Sequence, residues 1–452
     1  MQKIDTETLA GKKILFASMP AEGHVNPLTG LAKYLQAQGC DVRWYTGFSY
    51  APKMAKLGIP LFPFRKAVEV TGENLEELFP AREKIKGQVK KLVYDMIHVF
   101  IRQAPKFIDD MQDIRKDFPF DVVVAECTFT AIPIIKKVLK VPVIGIGIVP
   151  LTETSRDLPP MGLGMTPSNT FTGRLKQRFL RFFTNEVLFR KANAAIYEIL
   201  DSYGIPHNRS NVFDIAVKAS DLYLQSGTPG FEYRRSDMGK NIRFIGSLLP
   251  YSSGKKLTPW QDARLKQYQT VVLVTQGTVE KDVEKLLVPS LEAFKDTNTL
   301  VICTTGGSQT EELKKRFPQR NLIIEDFIPF DNVMPYANVY ITNGGYGGVM
   351  LGIENELPMV VAGLHEGKNE ICARVGFFNL GINLQTEKPA PAQIKTAVEK
   401  ILASSLYRAN TEKLSKEFNR YNPGELCARY ISAVLHQPKK SPASIIVNDV
   451  AA

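Results

Sequence analysis

The stretch Val339-Tyr340-Ile341-Thr342-Asn343-Gly344-Gly345-Tyr346-Gly347-Gly348 decides how this chain is read. In it an apolar run feeds a helix-like segment, residues 349–355, through a cluster of glycines. Where a strand enters a helix in this way, backbone N–H groups at the helix start can converge on an anion with no Cβ atoms in its path. The cluster is a candidate phosphate cradle, and a tight strand-to-helix turn without a ligand is the plain alternative. It lacks the Gly-Lys-Ser/Thr ending of a P-loop. It also lies late in the chain, whereas a dinucleotide fingerprint follows the first strand of its fold.

Outward from this corner, apolar runs alternate with amphipathic segments in both directions. The runs at 271–275, 300–304, 322–325, 339–341 and 359–362 each lead into a glycine or proline turn and then a helix-like stretch. An earlier array has runs at 13–17, 42–45, 61–64, 121–125 and 143–148. Such alternation predicts mostly parallel sheets covered on both faces, hence an α/β fold. Residues 247–259, with Pro250, Gly254 and Pro259, read as the linker between two domains. Open parallel sheets bind ligands at the carboxyl ends of their strands, so two of them facing each other would place the site in the cleft between. Residues 438–452 carry no periodicity and are expected to fray.

Size agrees with two domains, since 452 residues exceed one core of ordinary size. The 44% hydrophobic and 23% charged content is that of a globular protein. No leader peptide and no membrane-spanning run is visible, and the five scattered cysteines read as reduced thiols, so a cytoplasmic location is expected. The net charge of +11 favours anionic partners, but the basic residues are dispersed and no nucleic-acid motif accompanies them, so no nucleic acid is expected. The densest basic segment, 174–191, sets Leu175, Phe179, Phe182 and Phe183 at helical spacing among Arg and Lys. The expectation is a surface helix whose aromatic stripe faces the core or a ligand cleft; the alternative, peripheral membrane contact, is not expected.

The chemistry-bearing residues sit at strand ends. His24 follows the first apolar run, beside a helix expected to start with Asn26 as N-cap and Pro27 at its first position. An imidazole there can act as a base near neutral pH once a carboxylate orients it. Asp121 and Glu126 flank one buried run about 16 Å apart, and only Glu126 lies at the carboxyl end that His24 shares. No Gly-x-Ser-x-Gly elbow supplies a nucleophile, so the pair is expected to activate an incoming hydroxyl. In the second half Gln276-Gly277-Thr278 and Thr305-Gly306 are turns whose hydroxyls and N–H groups could meet phosphate oxygens. Phe327, followed by Ile328, could stack on a planar base or belong to the core. Glu366, Lys368, Asn369 and Glu370 form a polar run at another strand end, suited to sugar hydroxyls or to helix capping.

Taken in order, these residues resemble the family 1 UDP-glycosyltransferases over roughly residues 12–435. The segments that carry the resemblance are Gly23-His24-Val25-Asn26-Pro27, the Gly277-Thr278 turn, and the block from Phe327 through Glu370. The resemblance implies the GT-B fold, with two facing Rossmann-like domains, parallel sheets and an interdomain cleft. It implies an acceptor-binding domain over 1–246, a linker over 247–259, a nucleotide-sugar domain over 260–420, and a terminal helix over 421–452 that returns to the first domain. It further implies inverting transfer without a metal or other cofactor, the UDP-sugar being a co-substrate and a small molecule the acceptor. His24 and Glu126 would be catalytic; Gln276, Gly277, Thr278, Thr305, Gly306, Phe327, Ile328, Asn343, Gly344, Gly345, Tyr346, Gly347, Gly348, Glu366, Lys368, Asn369 and Glu370 would hold the donor. The chain departs from the family pattern where a histidine is usual (Asn343), where tryptophan and glutamine flank the base (Phe327, Phe330), at the Asn-Ser pair (Gly347-Gly348), at the aspartate partner (Glu126), and at the sugar-reading Asp-Gln pair (366–370).

The expected reaction is transfer of a sugar, glucose first, from UDP to a hydroxyl of a small, mostly apolar acceptor such as a phenol, flavonoid or terpenoid. Its pocket is expected from N-terminal loops with residues 79–107 and 150–190. The alternatives are a GT-B enzyme acting on lipid-linked or cell-wall sugars and a non-catalytic UDP-sugar binder. A nicotinamide-dependent oxidoreductase is disfavoured because the first turn has no Gly-x-Gly-x-x-Gly.

Overall fold

A computed structural model describes residues 9–252, 260–277 and 279–436. Among the described residues, short runs of Val, Ile, Leu and Phe form thirteen strands in two sheets, and their near-continuous burial is that of strands covered on both faces. The first sheet has seven: β1 (Lys13–Ala17), β2 (Asp41–Thr46), β3 (Leu61–Pro63), β4 (Val122–Glu126), β5 (Val143–Gly147), β6 (Leu222–Gln225) and β7 (Ile242–Phe244). The second has six: β8 (Thr270–Thr275), β9 (Thr299–Thr304), β10 (Leu322–Glu325), β11 (Val339–Thr342), β12 (Met359–Val361) and β13 (Gly381–Asn383). β6, β7 and β13 were not among the expected runs; pairing with a neighbour defines them.

The spatial orders are β3-β2-β1-β4-β5-β6-β7 and β10-β9-β8-β11-β12-β13, with every pair parallel. Each sheet therefore reverses its winding once, between β1 and β4 in the first and between β8 and β11 in the second. At such a switch point the connections leave in opposite directions and open a crevice beyond the strand ends. His24 follows β1 and Glu126 ends β4; Gln276 follows β8 and Asn343 follows β11. Both candidate half-sites thus occupy switch points.

Each sheet carries apolar layers on its two faces. The helix Pro423–His436 crosses back and packs Leu426, Cys427 and Ile431 with Leu28 and Leu31 on the first sheet. Polar contacts join the halves: the Tyr346 hydroxyl donates to the Ser226 carbonyl at 2.9 Å, Gly230 N–H donates to Glu417 at 2.9 Å, and Arg374 pairs with Glu232 at 2.7 Å. Residues 247–252 run beside the helix Glu22–Ala37, where Tyr251 N–H reaches the Thr29 hydroxyl at 2.8 Å. The rest of the expected linker, 253–259, and the tail from 437 lie outside the described residues. All five cysteines are free, and burial pushes the Cys303 thiol up to about 12.

Two expectations need correction. The first helix begins at Glu22, with Ala21 extended at its cap, so Asn26 is not the N-cap and Pro27 lies inside the helix. Asn26 instead bonds the Glu22 carboxylate at 2.6 Å and receives Lys53 at 2.7 Å, a side-chain tie across the first turns. Pro27 lies one turn in, so it omits the backbone bond to the Gly23 carbonyl that a residue with an N–H would make. The second correction concerns the helix Phe171–Phe183, most of whose aromatic stripe faces outward: Phe171 and Phe179 are 84% and 63% exposed while Gln177 is 3% exposed, and of the stripe Phe182 also borders a cavity.

Candidate active site

His24 sits in the first turn of the helix Glu22–Ala37, three residues past its extended cap, where it overlooks the ends of β1 and β4. Its Nδ1 lies 3.2 Å from Glu126 Oε1 and 3.1 Å from the Thr128 hydroxyl. Glu126 is fully buried and accepts three further bonds: Thr128 N–H at 2.6 Å, the Thr128 hydroxyl at 2.7 Å and Met19 N–H at 3.3 Å. Because the Thr128 proton goes to Glu126, the Thr128 oxygen is left to accept, and the Nδ1–H of His24 has two acceptors. That fixes the tautomer and leaves Nε2 as the free, basic nitrogen.

The electrostatics follow from the same contacts. Burial opposes charge on His24, but the Glu126 carboxylate and its hydrogen bond outweigh that, and the imidazole is held above its ordinary value. For Glu126, burial alone would raise the carboxyl; the His24 charge together with bonds from His24 and Thr128 keeps it below the usual carboxylate range. The ring remains 24% exposed, so Nε2 is open to an incoming group. Thr128 was missed from sequence. The signal available was a hydroxyl two residues after a strand-end carboxylate, a spacing that lets Oγ and N–H both turn back onto it.

On the second sheet the glycine corner is built by steric necessity. Gly344 has φ +78°, and a Cβ on it would lie 2.3 Å from the Cys372 sulfur, so only glycine lets β11 turn against the helix Lys368–Phe377. The next helix starts at Tyr346, three residues earlier than expected, with Gly345 as its cap. Val349 N–H bonds the Gly345 carbonyl at 3.0 Å, so the N–H groups of Tyr346, Gly347 and Gly348 belong to the first turn, ahead of the helical ladder. Gly347 has open space where a Cβ would be. The Asn343 amide donates to the Gln276 carbonyl, and its Oδ1 receives Gly345 N–H at 3.3 Å, tying the end of β8 to the end of β11. Gly277 adjoins Asn343 with φ +77°, whereas Thr278 lies outside the described residues. Gln276, Asn343 and Lys368 line one small pocket here with Glu280, Lys285 and Gly363.

The remaining expected residues separate. Phe327 is 67% exposed beside the Gly306-Gly307 turn, where a planar ring could stack on it, while Ile328 packs into the core. Gly306 N–H is bound to the Asp326 carbonyl at 2.9 Å. The Thr305 hydroxyl is buried and shared with Thr310 and Gly307 N–H, so it does not reach a phosphate. Tyr346 turns its ring toward Phe231 and its hydroxyl to Ser226, a contact across the halves and not one with the cradle's face. Glu366 is exposed and pairs with Lys368 at 2.7 Å. Glu370 is taken by Gly162 and Gly164 N–H, each at 2.8 Å, and by Arg374 at 3.3 Å; the Asn369 amide donates to the Gly162 carbonyl at 2.8 Å. These two fasten the 162–164 loop to the second half.

A separate cavity of about 430 Å³ lies between the segment after β5 and this fastening, lined in part by Leu158, Met161, Met165, Arg181, Arg235 and Arg374. It draws on residues 151–186 of the expected acceptor segments and on none of 79–107, and neither His24 nor the glycine corner borders it. No group of three or more metal-ligating side chains occurs among the described residues.

The family described as UDP-glucoronosyl and UDP-glucosyl transferase matches residues 158–423. The chain is 32% identical to 4'-demethylrebeccamycin synthase of Lentzea aerocolonigenes over 90% of its own length and 96% of the relative's. The chain belongs to that family. This UDP-glycosyltransferase is also 30% identical to UDP-glucosyltransferase 1 of Beauveria bassiana, with 90% and 91% of the two chains covered. Among solved structures, CalG4, the calicheamicin glycosyltransferase, superposes with a TM-score of 0.73 at 20% identity over 95% of this chain and 100% of that one. SsfS6 of Streptomyces sp. SF2575, complexed with thymidine diphosphate, gives 0.64 at 15% identity over 93% and 99%. These likenesses establish the GT-B fold. The family match starts after β5, so for the half that holds His24 and Glu126 the full-length relatives carry the membership.

Proposed function

We propose that this UDP-glycosyltransferase moves a sugar, glucose first, from UDP to a hydroxyl of a small, mostly apolar acceptor such as a phenol, flavonoid or terpenoid, with inversion at the anomeric carbon. One observation carries the mechanism: at the switch point of the first sheet, Nδ1 of His24 is held 3.2 Å from a buried carboxylate, which leaves Nε2 as the base. Nε2 takes the acceptor proton, the acceptor oxygen attacks the anomeric carbon, and the bond to UDP breaks on the opposite face. Glu126 stays ionised and stabilises the imidazolium, while Thr128 holds both in register. Thr128 is a positioning residue here.

The leaving diphosphate meets the N–H groups of Tyr346, Gly347 and Gly348 and the positive end of their helix, with the Lys368 ammonium alongside. Phe327 offers the face on which the base stacks. The name of one relative, UDP-glucosyltransferase 1, supports glucose as the sugar. The thymidine diphosphate in SsfS6 makes the base itself a point to test.

The test combines incubation with UDP-glucose and a phenolic panel, read by mass spectrometry, with a thermal-shift screen of UDP- and dTDP-sugars. Donor binding raises the melting temperature of the folded form. His24→Ala is expected to slow transfer roughly 10²- to 10⁴-fold, the usual share of a general base, with the donor shift retained. Loss of the donor shift in that variant would remove His24 from the role given to it.

A further inference from the structure

The helix Phe171–Phe183 is built inside out. At 100° per residue, Phe171, Leu175, Phe179 and Phe182 fall within an arc of about 80°, and Gln177 and Thr184 project from the opposite side. An ordinary surface helix turns the apolar arc inward. Here the polar side is attached: Gln177 and Thr184 are buried and Gln177 donates to the Ser168 carbonyl at 3.4 Å, while Phe171, Leu175, Phe179 and Phe182 are 84, 60, 63 and 64% exposed. Val187, just beyond, is exposed as well, and the rings of Phe179 and Phe183 stack at 6.4 Å. Phe171, Leu175 and Phe179, with Phe182 which also borders the 430 Å³ cavity, form an apolar stripe on one outward arc, which a solvent-facing surface does not ordinarily keep.

The charges around the patch say what covers it. Residues 171–191 hold Arg174, Lys176, Arg178, Arg181, Arg190 and Lys191 against one acid, Glu186. Arg174 and Arg178 project along one edge of the apolar arc and Lys176 along the other, all three exposed. An apolar face flanked by cations is the chemistry of a helix that lies in the headgroup region of an anionic bilayer, rings inserted and cations on the phosphates. A second copy of this chain fits poorly, because face-to-face pairing would bring the same cations together.

We propose that the helix Phe171–Phe183 docks this enzyme peripherally on an anionic membrane surface. No helix among the described residues is long and apolar enough to cross a membrane, so the contact is one of lying on the surface. The inference goes beyond the transfer reaction and does not depend on which sugar or acceptor is used.

Vesicle co-sedimentation of the full chain tests it, with phosphatidylcholine alone and with phosphatidylcholine carrying a quarter phosphatidylglycerol, at low and high salt. Wild type is expected to bind the anionic vesicles at least about tenfold more tightly than the neutral ones, and to release at high salt. Phe171→Ser with Phe179→Ser should weaken binding at least about tenfold, and Arg174→Gln with Arg178→Gln by about fivefold per cation removed. Unchanged melting temperatures, expected for exposed positions, show that the variants are folded. No binding to anionic vesicles at low salt, or binding indifferent to the two serines or to lipid charge, overturns the proposal. So does a wild-type dimer by light scattering that the serine variant converts to monomer without any change in vesicle binding, since a second copy would then be the occupant.

Discussion

Glu126→Gln isolates what the buried carboxylate does for His24. The two side chains stay nearly isosteric, and an amide oxygen in the place of Oε1 can still accept the Nδ1–H, so the tautomer survives; the charge is lost, and with it the bond that Oε2 accepted from Thr128 N–H. Two unit charges 3.2 Å apart attract by about 5 kcal/mol at an effective dielectric constant of about 20. If about half the proton has reached Nε2 in the transition state, about 2–3 kcal/mol of that is lost, which at 1.36 kcal/mol per decade is about a hundredfold in rate. The sign of the pH effect follows from the raised His24 value. The base must be neutral, so kcat/KM for the acceptor rises with pH through that value and levels off above it. Without the carboxylate the inflection moves to lower pH and the plateau falls by about two decades. The assay is the pH profile of kcat/KM for both enzymes on one acceptor. A plateau within about threefold of wild type, or an inflection that does not move down, would refute the electrostatic role of Glu126.

Other outcomes are expected from single contacts. Phe327→Ala should raise KM for the donor about fivefold to tenfold, the worth of one aromatic stack, and leave the unfolding midpoint unchanged because the ring is exposed. Gly344→Ala combines a left-handed φ with a Cβ 2.3 Å from Cys372 and should cost about 3 kcal/mol, read as a drop in Tm, whereas Gly347→Ala in open space should change stability little. Arg374→Met leaves Glu232 and Glu370 buried without their shared cation and should destabilise by about 3–5 kcal/mol in urea unfolding. Thr128→Val removes a bond to Glu126 and the second acceptor for His24, so kcat should fall about tenfold with donor KM steady.

Much is legible in the sequence, because local sequence carries it. The runs at 13–17, 271–275 and 322–325 match β1, all but the first residue of β8, and β10, since buried parallel strands read as unbroken apolar segments. The strand-to-helix glycines marked the corner at Gly344, and His24 with Glu126 emerged from asking which strand ends share an edge. What sequence missed depends on distance in space. β7 and β13 exist as strands because a neighbour pairs with them, the start of the first helix was set by an extended Ala21 and a tie among Asn26, Glu22 and Lys53, and Thr128 gained meaning only when the turn after β4 folded back.

The order of strands, which makes β1 and β4 neighbours across more than a hundred residues, was decided by tertiary packing, and with it the meeting of His24 and Glu126. The same holds for Glu370 and Asn369, whose polarity suggested a sugar site and whose partners lie in the loop at Gly162. It holds most plainly for the helix Phe171–Phe183. Periodicity establishes that one face is apolar, but which face meets the protein is a property of how the helix is attached, and here the attachment is through Gln177 and Thr184. Sequence fixes which groups a segment can offer, because that is local covalent chemistry; the direction in which they are offered depends on contacts between segments far apart in the chain.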